Sequence, residues 1–273
     1  MKNLLAGNII RYRKANGLTQ EELGNKLGVT FQAVSKWETE QAMPDITALP
    51  QLAKILQISV DQLLGYDAPQ NYTGFDYNAV YSKDEYHGGI APSPECLKII
   101  SLLPILPDKN LKVLEICCGE GRNAVFFARC GYEVDAFDMS TAGIEKTKRL
   151  ADKARVHVNA FKANMMDYRL DCKYDIIYSS SAFHFIRPEF RDEMIADYRK
   201  NTSTDGINAF HNVFVEKPFI STHPEFKEQS HPWRSGELLL YYHDWLIEDF
   251  SEYIIDQTPG YQCALNQLYA RKK

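Results

Sequence analysis

Val113-Leu114-Glu115-Ile116-Cys117-Cys118-Gly119-Glu120-Gly121-Arg122-Asn123 is the stretch on which the fold turns. Lys112–Ile116 reads as a strand, the two glycines as a tight turn, and Asn123–Cys130 as a helix that stops before Gly131. Gly119 and Gly121 let the backbone approach a ligand, and the helix start offers unpaired amides. Downstream the same alternation continues. Glu133–Phe137 is a strand, Thr141–Ala154 a helix, and His157–Phe161 and Tyr174–Ser179 are further strands. Pro188–Lys200 reads as a helix, Ile207–Val215 as a long strand, Ser235–Ile247 as a helix, and Glu252–Asp256 with Cys263–Arg271 as a terminal strand pair. Strands separated by helices predict an α/β domain with a doubly wound, seven-stranded, Rossmann-like sheet and an antiparallel end.

Asp138 ends the second strand, seventeen residues past Gly121, where a carboxylate can take both hydroxyls of a ribose. Gly119-Glu120-Gly121-Arg122-Asn123-Ala124 formally satisfies the dinucleotide fingerprint, a weak signal by itself. Glu115 decides between two cofactors. Facing a pyrophosphate, it would cost on the order of a few kcal/mol of like-charge repulsion in a partly desolvated site. Facing S-adenosylmethionine, whose ammonium and sulfonium are both positive, it would attract. The expected cofactor is therefore S-adenosylmethionine.

Working outward, 273 residues allow one large domain or a moderate and a small one. With 45% hydrophobic and 25% charged residues, collagen-like and disordered classes are excluded. No run of eighteen apolar residues occurs, and Met1-Lys2-Asn3-Leu4-Leu5 has no signal core, so a membrane span and secretion are not expected. Six irregularly spaced cysteines fit neither a disulfide framework nor a paired zinc site, which leads us to expect a cytoplasmic chain with reduced thiols. The net charge of −5 divides unevenly. Residues 1–66 carry seven basic and six acidic side chains, and the remainder 24 basic and 30 acidic.

Residues 1–66 read as five short helices. Leu5, Ile9, Ile10 and Tyr12 recur at helical spacing up to Asn16-Gly17. Thr19-Gln20-Glu21-Glu22 is a capping box opening a helix to about Leu27. Gly28 turns the chain, Thr30 caps a helix to Glu38, Pro44-Asp45 opens one through Leu56, and Val60–Leu64 makes the fifth. This order resembles the phage-repressor-like (XRE-type) helix-turn-helix family. The resemblance rests on residues 18–23, Leu27-Gly28-Val29-Thr30 and Gln32-Ala33-Val34-Ser35-Lys36-Trp37-Glu38. It implies that the helix after the turn enters a major groove of operator DNA. There Gln32 suits adenine, Ser35 a base or phosphate, and Lys36 guanine or phosphate. By the same resemblance Gln20 grips a phosphate, Thr30 is a cap first and a base reader second, and the protein is expected to form a homodimer on two half-sites. Gly24 departs from the family's usual alanine, which on propensity weakens its helix by roughly 1 kcal/mol. Phe31 replaces a residue often polar or basic.

Residues 67–88 show no sustained period and read as linker and approach segment; Ser93, followed by Pro94, then caps a helix. Residues 89–273 form the second domain. Its motifs resemble a class I S-adenosylmethionine-dependent methyltransferase of the tellurite-resistance group. They are Gly119-x-Gly121-Arg122-Asn123, Gly131-Tyr132-x-Val134, Asp138-Met139-Ser140, Tyr174-Asp175-Ile176-Ile177, Gly236-Glu237-Leu238 with Tyr241-Tyr242 and Trp245, and Ala270-Arg271-Lys272. The resemblance implies that Glu115, Gly119 and Gly121 hold the methionine end. It places Asp138 and Met139 on the ribose and one adenine face, and Asn164 and Met165 beside the adenine. Cys117, where the family has its first glycine, Asn123 and Ser180 complete the expected cofactor set. Cys117 and Cys118 read as packing residues, since adjacent cysteines chelate one metal poorly.

Methyl transfer needs alignment and a dry pocket, and a base only where the acceptor must lose a proton. His184 and Tyr86 are the candidate catalytic residues, with Ser180, Ser181, His211 and Tyr81 nearby in the reading. His184, between Phe183 and Phe185, also reads as a pocket wall. The loop 216–235, with His223, His231 and Trp233, is expected to cover the acceptor pocket; its histidines fit no metal-ligand spacing. Leu239 and Leu240 stand where relatives carry paired basic residues, which points to a small apolar acceptor rather than an oxyanion. The expectation is a DNA-binding, small-molecule methyltransferase. The alternative is a regulator whose second domain, with Cys117 in its turn, only senses S-adenosylmethionine or a ligand. A nucleic-acid methyltransferase is disfavoured by Ser179-Ser180-Ser181-Ala182-Phe183 after the fourth strand and by the acidic domain charge.

Overall fold

A reciprocal cap opens the second helix of the chain. Thr19 Oγ1 accepts from the Glu22 amide at 3.1 Å and Glu22 Oε2 accepts from the Thr19 amide at 2.7 Å. A computed structural model of the protein describes residues 4–58, 60–65, 76–103, 111–217, 230–258 and 261–273. The chain divides into two compact units, Met1–Thr73 and Gly74–Lys273.

The first unit is all helical: α1 (Leu4–Ala15), α2 (Gln20–Leu27), α3 (Phe31–Glu38), α4 (Leu49–Ile55) and α5 (Val60–Leu64). Gly28, at φ 72°, ends α2, and Thr30 Oγ1 accepts from the Ala33 amide to start α3. Leu5, Ile9, Leu23, Val34, Trp37, Leu52 and Leu63 meet in its core. Arg13 is buried beside them and donates to both carboxylate oxygens of Glu38 and to the Leu18 carbonyl. Two local expectations change. Asp45 caps a 3-10 turn at Ile46–Ala48, and the α-helix begins only at Leu49. Gly24 is required by packing: a β-carbon there would lie 2.9 Å from the Val29 carbonyl, so close approach outweighs helix propensity.

The second unit begins its described residues with α6 (Tyr77–Tyr81), inside the segment read as an approach, and continues with α7 (Pro94–Leu102). β1 (Lys112–Ile116), α8 (Arg122–Arg129), β2 (Glu133–Asp138), α9 (Thr141–Ala154), β3 (Asn159–Lys162) and β4 (Tyr174–Ser180) follow. α10 (Pro188–Lys200), β5 (Thr202–Glu216), β6 (Trp233–Arg234), α11 (Glu237–Leu240), β7 (Leu246–Thr258) and β8 (Tyr261–Arg271) complete it. One sheet runs in the order β3-β2-β1-β4-β5-β8-β7, with the two-residue β6 beside the end of β5. β3 through β5 are parallel, whereas β8 and β7 are antiparallel. β1 and β4 are buried on both sides, as central parallel strands require. One face packs Ile99, Val113, Phe127, Ile176, Tyr178, Ala209 and Tyr269. Phe210 is packed among Phe183, Tyr198 and Tyr242. β3 and β7 are the two margins of the sheet.

Ser235–Ile247 is not one helix. α11 makes a single turn, and amide bonds from Tyr242 to the Leu239 carbonyl and from Trp245 to the Tyr242 carbonyl continue as tight turns. These turns still bury Leu238, Tyr242 and Trp245 together, so the helical spacing of apolar residues had a different cause. The terminal strands are longer than expected, and β3 starts two residues later. Ser93 occupies the cap position of α7 but makes no capping bond, because its hydroxyl is spent on Asn123 and Tyr178. Among the described residues, no helix is long and apolar enough to cross a membrane. Residues 67–75 of the linker reading and His223 lie outside the described residues.

Candidate functional site

The carboxyl ends of β1, β2 and β4 converge on the glycine turn. After Ile116 the chain turns at Cys117, whose φ of 56° is left-handed and non-glycine. The Cys118 amide then bonds to the Phe137 carbonyl, and the Gly119 amide donates to Asp138 Oδ2 at 2.9 Å. Gly121, at φ 80°, caps α8, and a β-carbon there would lie 2.4 Å from the Thr147 side chain. Asp138 also accepts from the Ser140 amide at 2.8 Å. Burial raises its pKa, against the opposing pull of the amides of Ser140, Gly119 and Met139.

Glu115 lies fully enclosed beneath this turn. Its Oε1 accepts from Asn123 Nδ2 at 3.3 Å, and its Oε2 is buried with no partner among the described residues. Burial pushes the carboxyl up to about 8 against the opposing pull of the Asn123 side chain and the Ala124 amide. Asn123 is itself fixed, since its Oδ1 accepts from the Ser93 amide and hydroxyl, both at 2.9 Å. A buried carboxylate with one bare oxygen is what a cationic ligand group would stabilise. The buried carboxyl groups of Glu115 and Asp138 therefore fit a ligand that carries positive charge and hydroxyls, as S-adenosylmethionine does.

Cys117 turns its thiol to Met165 Sδ at 3.6 Å, which joins the turn to the loop after β3. Burial pushes the thiols of Cys117 and Cys118 well above the ordinary range, so neither is a ready thiolate. Asn164 accepts from the Met166 amide and shapes that loop, while Met139 is 49% exposed at the end of β2. Ser180 accepts from Asn212 Nδ2 at 3.2 Å.

The two catalytic candidates fall in different places. His184 is buried and stacked on Phe214, with ring centroids 4.0 Å apart, and burial lowers it to about 3. Tyr86 packs under Lys146 and donates to the Lys146 carbonyl at 3.4 Å, against α9 rather than over the turn. Tyr81 takes the position above the turn, with its hydroxyl 2.9 Å from where a Gly119 β-carbon would stand. Asn78 Oδ1 accepts from Ser140 Oγ at 2.8 Å and from the Ala142 amide at 3.2 Å, which docks α6 on the start of α9. Tyr77 meets Phe185 edge to face. Sequence reasoning missed Tyr77 and Asn78. Asp76, a cap residue followed by aromatics four apart, was the available signal.

In the helical unit, Gln32 and Lys36 are exposed on α3, and Ser35 is half-buried. Thr30 is the cap, and Phe31 is 51% exposed beside it. Gln20 donates to Glu38 Oε2 at 2.7 Å, so part of its amide is held by the Arg13–Glu38 pair.

A sequence profile described as tellurite resistance protein TehB matches residues 83–258, and a helix-turn-helix profile matches residues 9–63. Hemagglutinin 1 of Eikenella corrodens is 28% identical over 141 residues, which cover 52% of this chain and 46% of that protein. The probable S-adenosyl-L-methionine-dependent methyltransferase TehB of Haemophilus influenzae is 24% identical over 176 residues, or 64% of this chain and 56% of that one. The chain thus spans about half the length of the curated relatives it matches. The crystal structure of TehB from Haemophilus influenzae superposes with a TM-score of 0.58 at 20% identity, covering 72% of this chain and 66% of that chain. At that identity the likeness is one of fold.

Proposed function

The chain belongs to the TehB family through residues 83–258, and from that membership we propose that it transfers a methyl group from S-adenosylmethionine to a small acceptor. The observation that carries this reading is the bare, buried Oε2 of Glu115 beneath the glycine turn. When bound, the cofactor supplies an electrophilic methyl on a positive sulfur. Glu115 balances the positive methionine end, Asn123 orients Glu115, and the Gly119 amide aligns Asp138. Asp138 presents a carboxylate already aligned by two amides. Calorimetry with S-adenosylmethionine on the wild type, Glu115→Gln and Asp138→Ala tests it. Affinity should fall at least about tenfold in each variant, and equal heats in all three would sink the assignment.

The helix-turn-helix unit binds operator DNA in this reading, as a dimer on two half-sites, with Gln32, Ser35 and Lys36 toward base edges or phosphates, Gln20 on a phosphate, and Thr30 a helix cap first and a base reader second. With seven basic side chains against six acidic in its first 66 residues, non-specific binding is weak and specific contacts carry the affinity. A second reading is favoured by one feature, Cys117 in the turn: a regulator that binds S-adenosylmethionine without turnover. Conversion of S-adenosylmethionine to S-adenosylhomocysteine with methylation of any small acceptor decides against it.

A further inference from the structure

A second group of buried side chains lies at the carboxyl ends of β4 and β5. His211 is fully buried on β5, and neither ring nitrogen has a hydrogen-bond partner among the described residues. Its Nδ1 lies 3.9 Å from Glu95 Oε1, on the first turn of α7, and the other Glu95 oxygen is buried and equally without a partner. Tyr269 stands edge-on to the imidazole at 4.7 Å, and Tyr178 is 6.1 Å away. The Tyr178 hydroxyl reaches Ser93 at 3.1 Å and Asn123 at 3.4 Å, and Asn123 reaches Glu115. A line of polar groups therefore runs from Glu115 through Asn123 to Tyr178, whose ring neighbours that of His211.

Resting on the methyltransferase reading above, we propose that Glu95 and His211 form the subsite of the methyl acceptor. The acceptor is then an uncharged protic molecule, with O–H, S–H or N–H at the reacting atom, and His211 takes its proton.

Charge excludes the alternatives. The Glu95 carboxyl beside the ring disfavours an anion, and the nearby cation Lys98 is engaged by Asp249 and by the face of Tyr269. The groups facing His211 are Glu95 and Lys98 from α7, Tyr178 from β4, Asp249 from β7 and Tyr269 from β8. Burial holds the imidazole down to about 3, with Lys98 pushing the same way and Asp249 opposing, so the ring is neutral and carries a lone pair. In the reaction the X–H bond breaks, its electron pair forms the bond from X to the methyl carbon, and the pair of the broken carbon–sulfur bond stays on sulfur. The proton goes to the ring nitrogen that does not face Glu95. Glu95 offsets the charge that then appears on the ring and, being partly exposed, offers the route by which the proton reaches solvent.

The test uses the full chain, His211→Asn and Glu95→Gln. S-adenosylhomocysteine should bind all three within about twofold, because neither residue touches its seat. Absence of binding to the wild type would overturn the cofactor reading and this subsite with it. In cofactor-product-bound protein carrying isotope-labelled histidine, para-cresol should shift the His211 ring signal, identified by its loss in His211→Asn. Its methyl ether, para-methylanisole, and benzoate should not. In turnover of para-cresol, para-thiocresol, benzimidazole and tellurite, a neutral protic member should be methylated and tellurite not. His211→Asn should lower kcat about 100-fold with KM within about threefold, and Glu95→Gln should raise KM. Turnover of tellurite, binding of S-adenosylhomocysteine with no neutral acceptor methylated, an unmoved His211 signal with para-cresol, or kcat within about threefold in His211→Asn would each overturn the proposal.

Discussion

Cys117→Gly probes the turn on which cofactor access depends. Cys117 holds φ at 56°, a conformation that costs a residue with a β-carbon roughly 1–2 kcal/mol. Glycine relieves that strain but spends about 0.5–1 kcal/mol of extra chain entropy. It also loses the thiol contact with Met165 at 3.6 Å, worth no more than about 0.8 kcal/mol. The sum lies within about 1 kcal/mol of wild type. Cys117→Ala loses the same thiol and keeps the strain, so glycine should be the more stable of the two by about 1 kcal/mol, the reverse of the usual order. Urea unfolding in a Trp37→Phe background reads this directly, because Trp233 and Trp245 then report only on the second unit. Affinity for S-adenosylhomocysteine should rise severalfold with glycine as the turn opens. Alanine more stable than glycine, or glycine weaker in cofactor affinity than wild type, would refute the reasoning.

Because Glu115 is held up to about 8, it must release a proton to meet a cation, so S-adenosylmethionine affinity should rise with pH up to that value. Calorimetric heats at neutral pH should depend on the buffer's ionisation enthalpy in wild type and not in Glu115→Gln. Gly24→Ala should destabilise the helical unit rather than stabilise it by the roughly 1 kcal/mol that propensity offers, as read by thermal circular dichroism. Burial alone would raise Glu38, yet hydrogen bonds from Arg13 and Gln20 leave it below the ordinary 4.5. Its contribution to stability is therefore full above that value and lost as pH falls through the lowered one; Glu38→Gln should flatten that part of the acid-unfolding curve. Lys36→Ala should weaken operator binding in mobility-shift titrations and reduce the salt slope by about one ion.

The central strands, the glycine turn and Asp138 were legible because each is a local signal. Apolar runs are bounded by glycines, and a carboxylate ends a strand at fixed spacing. Thr19 and Glu22 were legible for the same reason, three residues apart on one turn. What escaped was set by distant partners. Ser93 looks like a cap until Asn123 and Tyr178, 30 and 85 residues away, claim its hydroxyl. Gly24 looks like a propensity defect until the Val29 carbonyl is placed against it. The spacing of Leu238, Tyr242 and Trp245 fits a helix and also a series of tight turns, and only the start of β7 at Leu246 separates the two. The Glu95–His211 pair joins residues over a hundred positions apart, so no window of sequence could display it.

The two margins of the sheet resist self-association by different means. β3 is four residues long, too short to template another chain, whereas β7 spans thirteen and leaves Ile254 54% and Ile255 42% exposed. Along β7 the carboxylates of Glu248, Asp249, Glu252 and Asp256 fall at intervals, and three of them are engaged by Arg271, Lys98 and Lys217. A second molecule adding a strand there would set its own copies of these charges against them in the antiparallel register. The longest open edge among the described strands therefore carries its own barrier to fibrous stacking.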